Sequence, residues 1–311
     1  MRNLRNILFH CAPGEAAAPA LARVAALARK SDAILTVAGV LEEIPRDLWM
    51  LVPPIGAGPV TEMAAAELLE RLEQLVEPHR RRGIEIDTEV LLGDPCRELV
   101  RAIERRRHDL LVVGMGEQAM SRRNLVRLLK TAPCPVWIAR PGVTAPAGSI
   151  LAAVDPAPGK ESSSPLSRRV MEAAGAIARL EAARLEVLCV WDAPLNGILS
   201  RWPRLPPEQL RETADRAYRS ARTSVEGLLS ELGLSGSPNC LHMRRGRLTC
   251  ALADLARSKP VDLVVVGVTA RNRGRSWFSA SGAEALLDRL PCSLLTVRQE
   301  AQYAPARQKA A

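Results

Sequence analysis

The sequence predicts an α/β fold made of two tandem domains, each a five-stranded, parallel, doubly wound sheet. Three observations lead there. The 311 residues exceed the usual range of one domain. The phrase "DLLVVGMG" at Asp109–Gly116 returns as "DLVVVGVT" at Asp262–Thr269. Short Val/Leu/Ile runs, bounded by turns, alternate with helical periodicity along the whole chain.

The duplication is extensive. "ILFHCAP" at Ile7–Pro13 aligns with "ILAAVDP" at Ile150–Pro156, and Gly93–Gly114 aligns without a gap with Gly246–Gly267. "APCPVWIAR" at Ala132–Arg140 aligns with "LPCSLLTVR" at Leu290–Arg298. The expected domains are residues 1–142 and 148–299, joined by the Pro/Gly-rich "PGVTAPAGS" of Pro141–Ser149 and followed by a polar tail, 300–311.

In the second copy Ile150–Val154 is an apolar strand and Pro165–Leu180 has helical spacing. Leu185–Trp191 is again apolar, and Pro207–Leu232 is a long amphipathic helix. A short strand falls near Cys240–Met243, a helix over Cys250–Arg257 and a strand over Asp262–Gly267. A helix near Ala283–Leu290 and a strand at Ser293–Val297 close the copy.

Composition narrows function. Aromatic residues are 3%, too few for base-stacking platforms. Net charge is +9, with basic clusters at His79–Gly83, Glu104–His108, Ser121–Arg123 and Arg271–Arg275. Such charge favours anionic partners, although Arg-rich helix faces are ordinarily just solvated. Seven cysteines without any CxxC imply reduced thiols and no zinc site, hence a cytoplasmic protein. The basic-then-apolar start is broken by His10, Pro13 and Glu15, so neither a leader nor a membrane span is expected. His10, His79, His108 and His242 lack ligand spacing and read as edge or surface histidines. Cys134 and Cys292 occupy equivalent repeat positions, which suggests packing rather than redox chemistry.

The opening strand "ILAAVD", the phrase "DLVVVG" and the "APCPV" that starts a fifth strand, in this order and twice, resemble the universal stress protein family in its tandem form. The resemblance implies a Rossmann-like domain of the adenine nucleotide alpha hydrolase type, and pairing of the two domains through their fifth strands, with a homodimer as a further option. It also implies a cytoplasmic stress-response factor whose ligand is ATP or another adenine nucleotide. In such sheets ligands sit beyond the carboxyl ends of the strands where strand order reverses. The family pattern G-x2-G-x9-G-[ST] lets glycine backbone N–H groups approach phosphate, and the following helix adds its positive end.

Carried over by residue, the second copy supplies Asp155 as the strand-one carboxylate and Val190 at the adenine-reading strand-two position. Gly267 is the first glycine. Ala270 and Ala280 replace the other two, Ser281 is the hydroxyl, and Gly282 follows one residue late. Arg271, Arg273 and Arg275 add phosphate-binding capacity; the same loop also reads as exposed and without a ligand. The first copy has Ala12 in place of Asp155, and five residues fewer between Gly114 and Cys134 than between Gly267 and Cys292. Its loop is too short to wrap a triphosphate, so an adenine-nucleotide site is expected in the second copy only. No nucleophile or metal constellation is recognisable, so catalysis is not expected. The alternative is a nucleotide-free interaction protein that recruits an acidic partner or RNA through its basic surface; that binding would weaken steeply with salt.

Overall fold

The computed structural model describes residues 4–12, 17–42, 57–115, 120–140, 147–154, 164–191, 206–234, 241–268 and 280–298. The first half runs β1 (Asn6–His10), α1 (Ala17–Ser31), β2 (Ile34–Leu41), α2 (Ala57–Arg80), β3 (Ile86–Leu92), α3 (Pro95–Arg106), β4 (Leu110–Gly114), α4 (Arg122–Thr131) and β5 (Val136–Ala139). The second runs β6 (Ser149–Val154), α5 (Pro165–Glu181), β7 (Arg184–Trp191), α6 (Pro207–Glu231), β8 (Leu241–Arg245), α7 (Leu248–Ser258), β9 (Leu263–Val268), α8 (Ala280–Arg289) and β10 (Ser293–Arg298).

Among the described residues, ten strands form one sheet, in the order β3-β2-β1-β4-β5-β10-β9-β6-β7-β8. Within each half every pairing is parallel; β5 and β10 alone meet antiparallel, with Leu295 opposite Trp137. The fifth strands therefore join the two halves. Strand order reverses twice, at β1/β4 and at β6/β9.

Burial follows position. β4 and β9, "LLVVG" and "LVVVGV", are buried at every residue because helices cover both sheet faces. The edge strand β8 is only partly covered and carries Arg244 and Arg245 on its exposed end, a charge placement that discourages edge-to-edge pairing. One face packs Leu21 and Val24 of α1, Leu72 of α2, Val170 and Ile177 of α5 and Val225 of α6. The other packs Leu99 of α3, Leu128 of α4, Leu252 of α7 and Leu286 of α8.

Local chemistry sets the helix ends. Pro165 opens α5, where a missing N–H costs nothing. Asp94 caps α3 by accepting from the Arg97 N–H at 2.9 Å, and Ser121 caps α4 through the Asn124 N–H at 3.3 Å. At the C-terminus of α3 the chain turns through Arg107 in the left-handed region, whose N–H donates back to Ile103 O.

Two histidines depart from the surface placement expected of them. His10 lies on the central strand β1, 7% exposed, with Nδ1 3.1 Å from Ala38 O. That carbonyl only accepts, so Nδ1 carries the proton. His108, in the turn before β4, is 6% exposed. A strand flanked on both sides buries whichever residue occupies it, polar or not, and His10 is accommodated by this one carbonyl.

Candidate functional site

The two points of strand reversal are built differently. In the first half β1 and β4 stay paired from Ile7↔Leu110 to His10↔Val113, nearly to their ends. A Cβ placed on Gly114 would meet Phe9 Cζ at 3.3 Å and Cys11 Cβ at 3.6 Å. Phe9 of β1 and the following Cys11 thus pack beside Gly114.

In the second half β6 and β9 pair only from Ile150↔Leu263 to Ala152↔Val265. Beyond that, Val154 still pairs with Cys189 of β7, and Val268 still pairs with Arg298 of β10. Each strand follows its outer neighbour, and the two diverge at their carboxyl ends. Aligned with Phe9 and Cys11 are Ala152 and Val154, so the aromatic ring is missing here.

Of the sequence-predicted residues, Asp155 and the loop carrying Ala270, Arg271, Arg273 and Arg275 lie outside the described residues. Val154 is the last residue of β6. Val190 is 8% exposed near the end of β7, one residue past the Val154↔Cys189 pair. Gly267 lies on the facing strand β9. Ser281 and Gly282 fall in the first turn of α8, whose N–H groups are free of intrahelical partners.

Gly267 also has a packing reason of its own. A Cβ there would stand 2.5 Å from Leu166 Cγ, because the first turn of α5 lays the Leu166 side chain directly on the strand. Sequence reasoning missed Leu166; its only signal was an apolar residue at the start of a helical stripe.

Two depressions lie elsewhere. A polar one of about 480 Å3 opens in the first half between Glu42, Arg97, Arg101 and Asn124. The Asp94 carboxyl at its rim is held below its usual range by the Arg127 guanidinium and the Arg97 N–H. The other, about 150 Å3 and apolar, lies beneath the junction of the halves, between Met115, Leu125, Ile138, Leu286 and Cys292.

Among the described residues, arginines of three of the four basic clusters pair with carboxylates, and the fourth, Arg271–Arg275, lies outside the described residues. Arg80 pairs with Glu73, Arg81 with Glu77 at 2.9 Å, Arg105 with Glu89, Arg106 with Asp87 at 2.6 Å and Arg122 with Asp288 at 2.6 Å. Among the described residues no group of three or more His, Cys, Asp or Glu is arranged to hold a metal ion, and no helix is long and apolar enough to cross a membrane.

Two doubly wound α/β domains, joined through their fifth strands, define a tandem α/β protein of the Rossmann-like class. The universal stress protein family model matches it twice, at residues 3–140 and 147–298, and the chain belongs to that family. It is 19% identical over 317 residues to universal stress protein E of Photorhabdus laumondii, covering 99% of both chains. It is 20% identical over 314 residues to universal stress protein E of Escherichia coli, covering 98% of this chain and 97% of that one. Among solved structures, a functionally unknown protein from Pseudomonas aeruginosa superposes with a TM-score of 0.69 at 20% identity, over 96% of this chain and 94% of that one.

Proposed function

We propose that this tandem universal stress protein is a non-catalytic stress-response factor that binds an adenine nucleotide in its second half alone. The observation that carries the reading is the divergence of β6 and β9 beyond Ala152 and Val265, against the β1/β4 pair of the first half, which continues to His10↔Val113. A crevice at a switch point, outside the carboxyl ends of parallel strands, is where ligands of such sheets bind.

In this reading Asp155 and Val190 orient the nucleoside, and Gly267, Ser281 and Gly282 approach the phosphates. Leu166 occupies the α5 face of Gly267, so the ligand lies on the rim above the strand ends rather than against that face. The first half, where Phe9 and Cys11 pack beside Gly114, serves as the structural partner. Recruitment of RNA or an acidic protein through the three described basic clusters draws less support, because Arg80, Arg81, Arg105, Arg106 and Arg122 are engaged by neighbouring carboxylates.

Equilibrium titration of the full chain with labelled ATP, repeated on Asp155→Ala, tests the reading. Saturable binding by the wild type, weakened at least about tenfold by the substitution, is expected; a tenfold loss corresponds to about 1.4 kcal/mol. Absence of binding at millimolar ATP, or binding indifferent to Asp155→Ala, overturns it.

A further inference from the structure

The junction of the two halves has a symmetric part and an asymmetric part. Trp137 of β5 and Leu295 of β10 are repeat equivalents and stand opposite each other, so the pseudo-twofold axis passes between them. Arg140 and Arg298 are also equivalents, and each donates to a main-chain carbonyl of the other half, Leu287 O and Ala132 O respectively. Contacts of this kind suit any pairing of two such domains.

The asymmetric part is a buried charge cluster. Arg23 of α1 donates from Nε and Nη2 to the two carboxylate oxygens of Glu181 in α5, both at 2.8 Å. The two side chains are each 5% exposed. Glu181 also accepts the Ala147 N–H at 3.0 Å, and the Arg23 guanidinium lies 4.7 Å from the centre of the Trp137 ring.

Ile34 opens β2 as Arg184 opens β7, so the repeat equivalent of Glu181 is Ser31 and that of Arg23 is Ala173. The mirror-image cluster would be Ala173, Ser31 and Leu295, and none of these carries the charge or the ring. The ion pair therefore exists on one side of the axis only. Two first halves paired in the same way would set Arg23 against Ser31 and bring two Trp137 rings to the axis. Two second halves would set Glu181 against Ala173. Each arrangement leaves a buried charge without its partner, which is far costlier than never burying the pair.

We propose that Arg23, Glu181 and Trp137 form a pairing code that lets the fifth-strand edge of each half accept only the complementary half. The edge thereby rejects identical copies, and any other domain of this fold without a carboxylate at the Glu181 position. The mechanism is a missing counter-charge in the wrong complex rather than an extra attraction in the right one.

The test uses full-length chains. In Arg23→Glu two carboxylates face each other within one chain; in Glu181→Arg two guanidinium groups do. When the two variants are refolded together, exchange of halves restores both Arg–Glu contacts. A 1:1 dimer in light scattering is expected from the mixture and from neither variant alone, and the double variant R23E/E181R should return to the wild-type mass and melting temperature. If a single variant does not fold alone, soluble dimer arising only in the mixture still supports the code. A mixture that forms no more dimer than the wild type refolded with itself overturns it. So does a Glu181→Gln chain, of unchanged shape, that exchanges halves with a differently labelled copy no faster than the wild type.

Discussion

Leu166 and Gly267 are in direct contact: the leucine side chain rests where any residue larger than glycine on β9 would put its first carbon, 2.5 Å from Leu166 Cγ. The contact ties the start of α5 to the carboxyl end of β9, beside the β6/β9 reversal point.

Gly267→Ala should therefore overpack the site and destabilise the chain by about 1–3 kcal/mol. Leu166→Ala alone should cost about 2–5 kcal/mol as a cavity. Because the two changes share one space, the double variant should be more stable than the sum of the singles predicts. Urea denaturation of the four proteins measures the coupling; strictly additive losses would show that the two side chains do not compete.

Stability should decline on mild acidification. Burial lowers the pKa of both His10 and His108 from the ordinary 6.5, although the Ala38 carbonyl works the other way on His10. With folded values depressed, the unfolded chain takes up protons first as pH falls. The stabilisation is thus complete above about 6.5 and is lost below it, toward the lowered folded values. Denaturation midpoints at pH 7.5 and 5.5 should differ, and His10→Gln should shrink that difference. An unchanged difference would remove His10 from the account.

Thiol reactivity should be sharply uneven. Burial pushes the thiols of Cys11 and Cys134 up to about 12 and that of Cys292 up to about 11, whereas Cys250 is exposed. Since the thiolate is the reactive form, an aromatic disulfide reagent at pH 8 should modify Cys250 far faster than those three. Peptide mapping after brief labelling checks this, and early modification of Cys134 would contradict the packing at the start of β5.

Much of the fold was legible because the repeat made each element visible twice. β4 and β9 announce themselves as apolar phrases, and α6 was placed within one residue of its end. The boundaries of β8 and α8 were less clear: an edge strand reading "LHMRR" has no alternation to mark its limits, and the small residues Ala280–Gly282 that open α8 carry no helical stripe.

The candidate site was legible as a set of positions but not as a shape. Divergence of β6 from β9 depends on which neighbour each strand follows, and no residue in either strand declares that. Arg23 and Glu181 illustrate the same limit. Each interrupts the apolar stripe of its helix, but its partner is in the other half of the chain, and only the folded sheet brings the two together.

The antiparallel join between β5 and β10 has a directional consequence. Strands of one half point opposite to those of the other, so the two reversal points face opposite rims of the molecule. In the proposed reading, doubling the domain makes an object with a responsive pole and a silent pole. A partner that senses occupancy would, in that reading, approach from the responsive end, and the silent end would be left for contacts that ligand binding does not disturb.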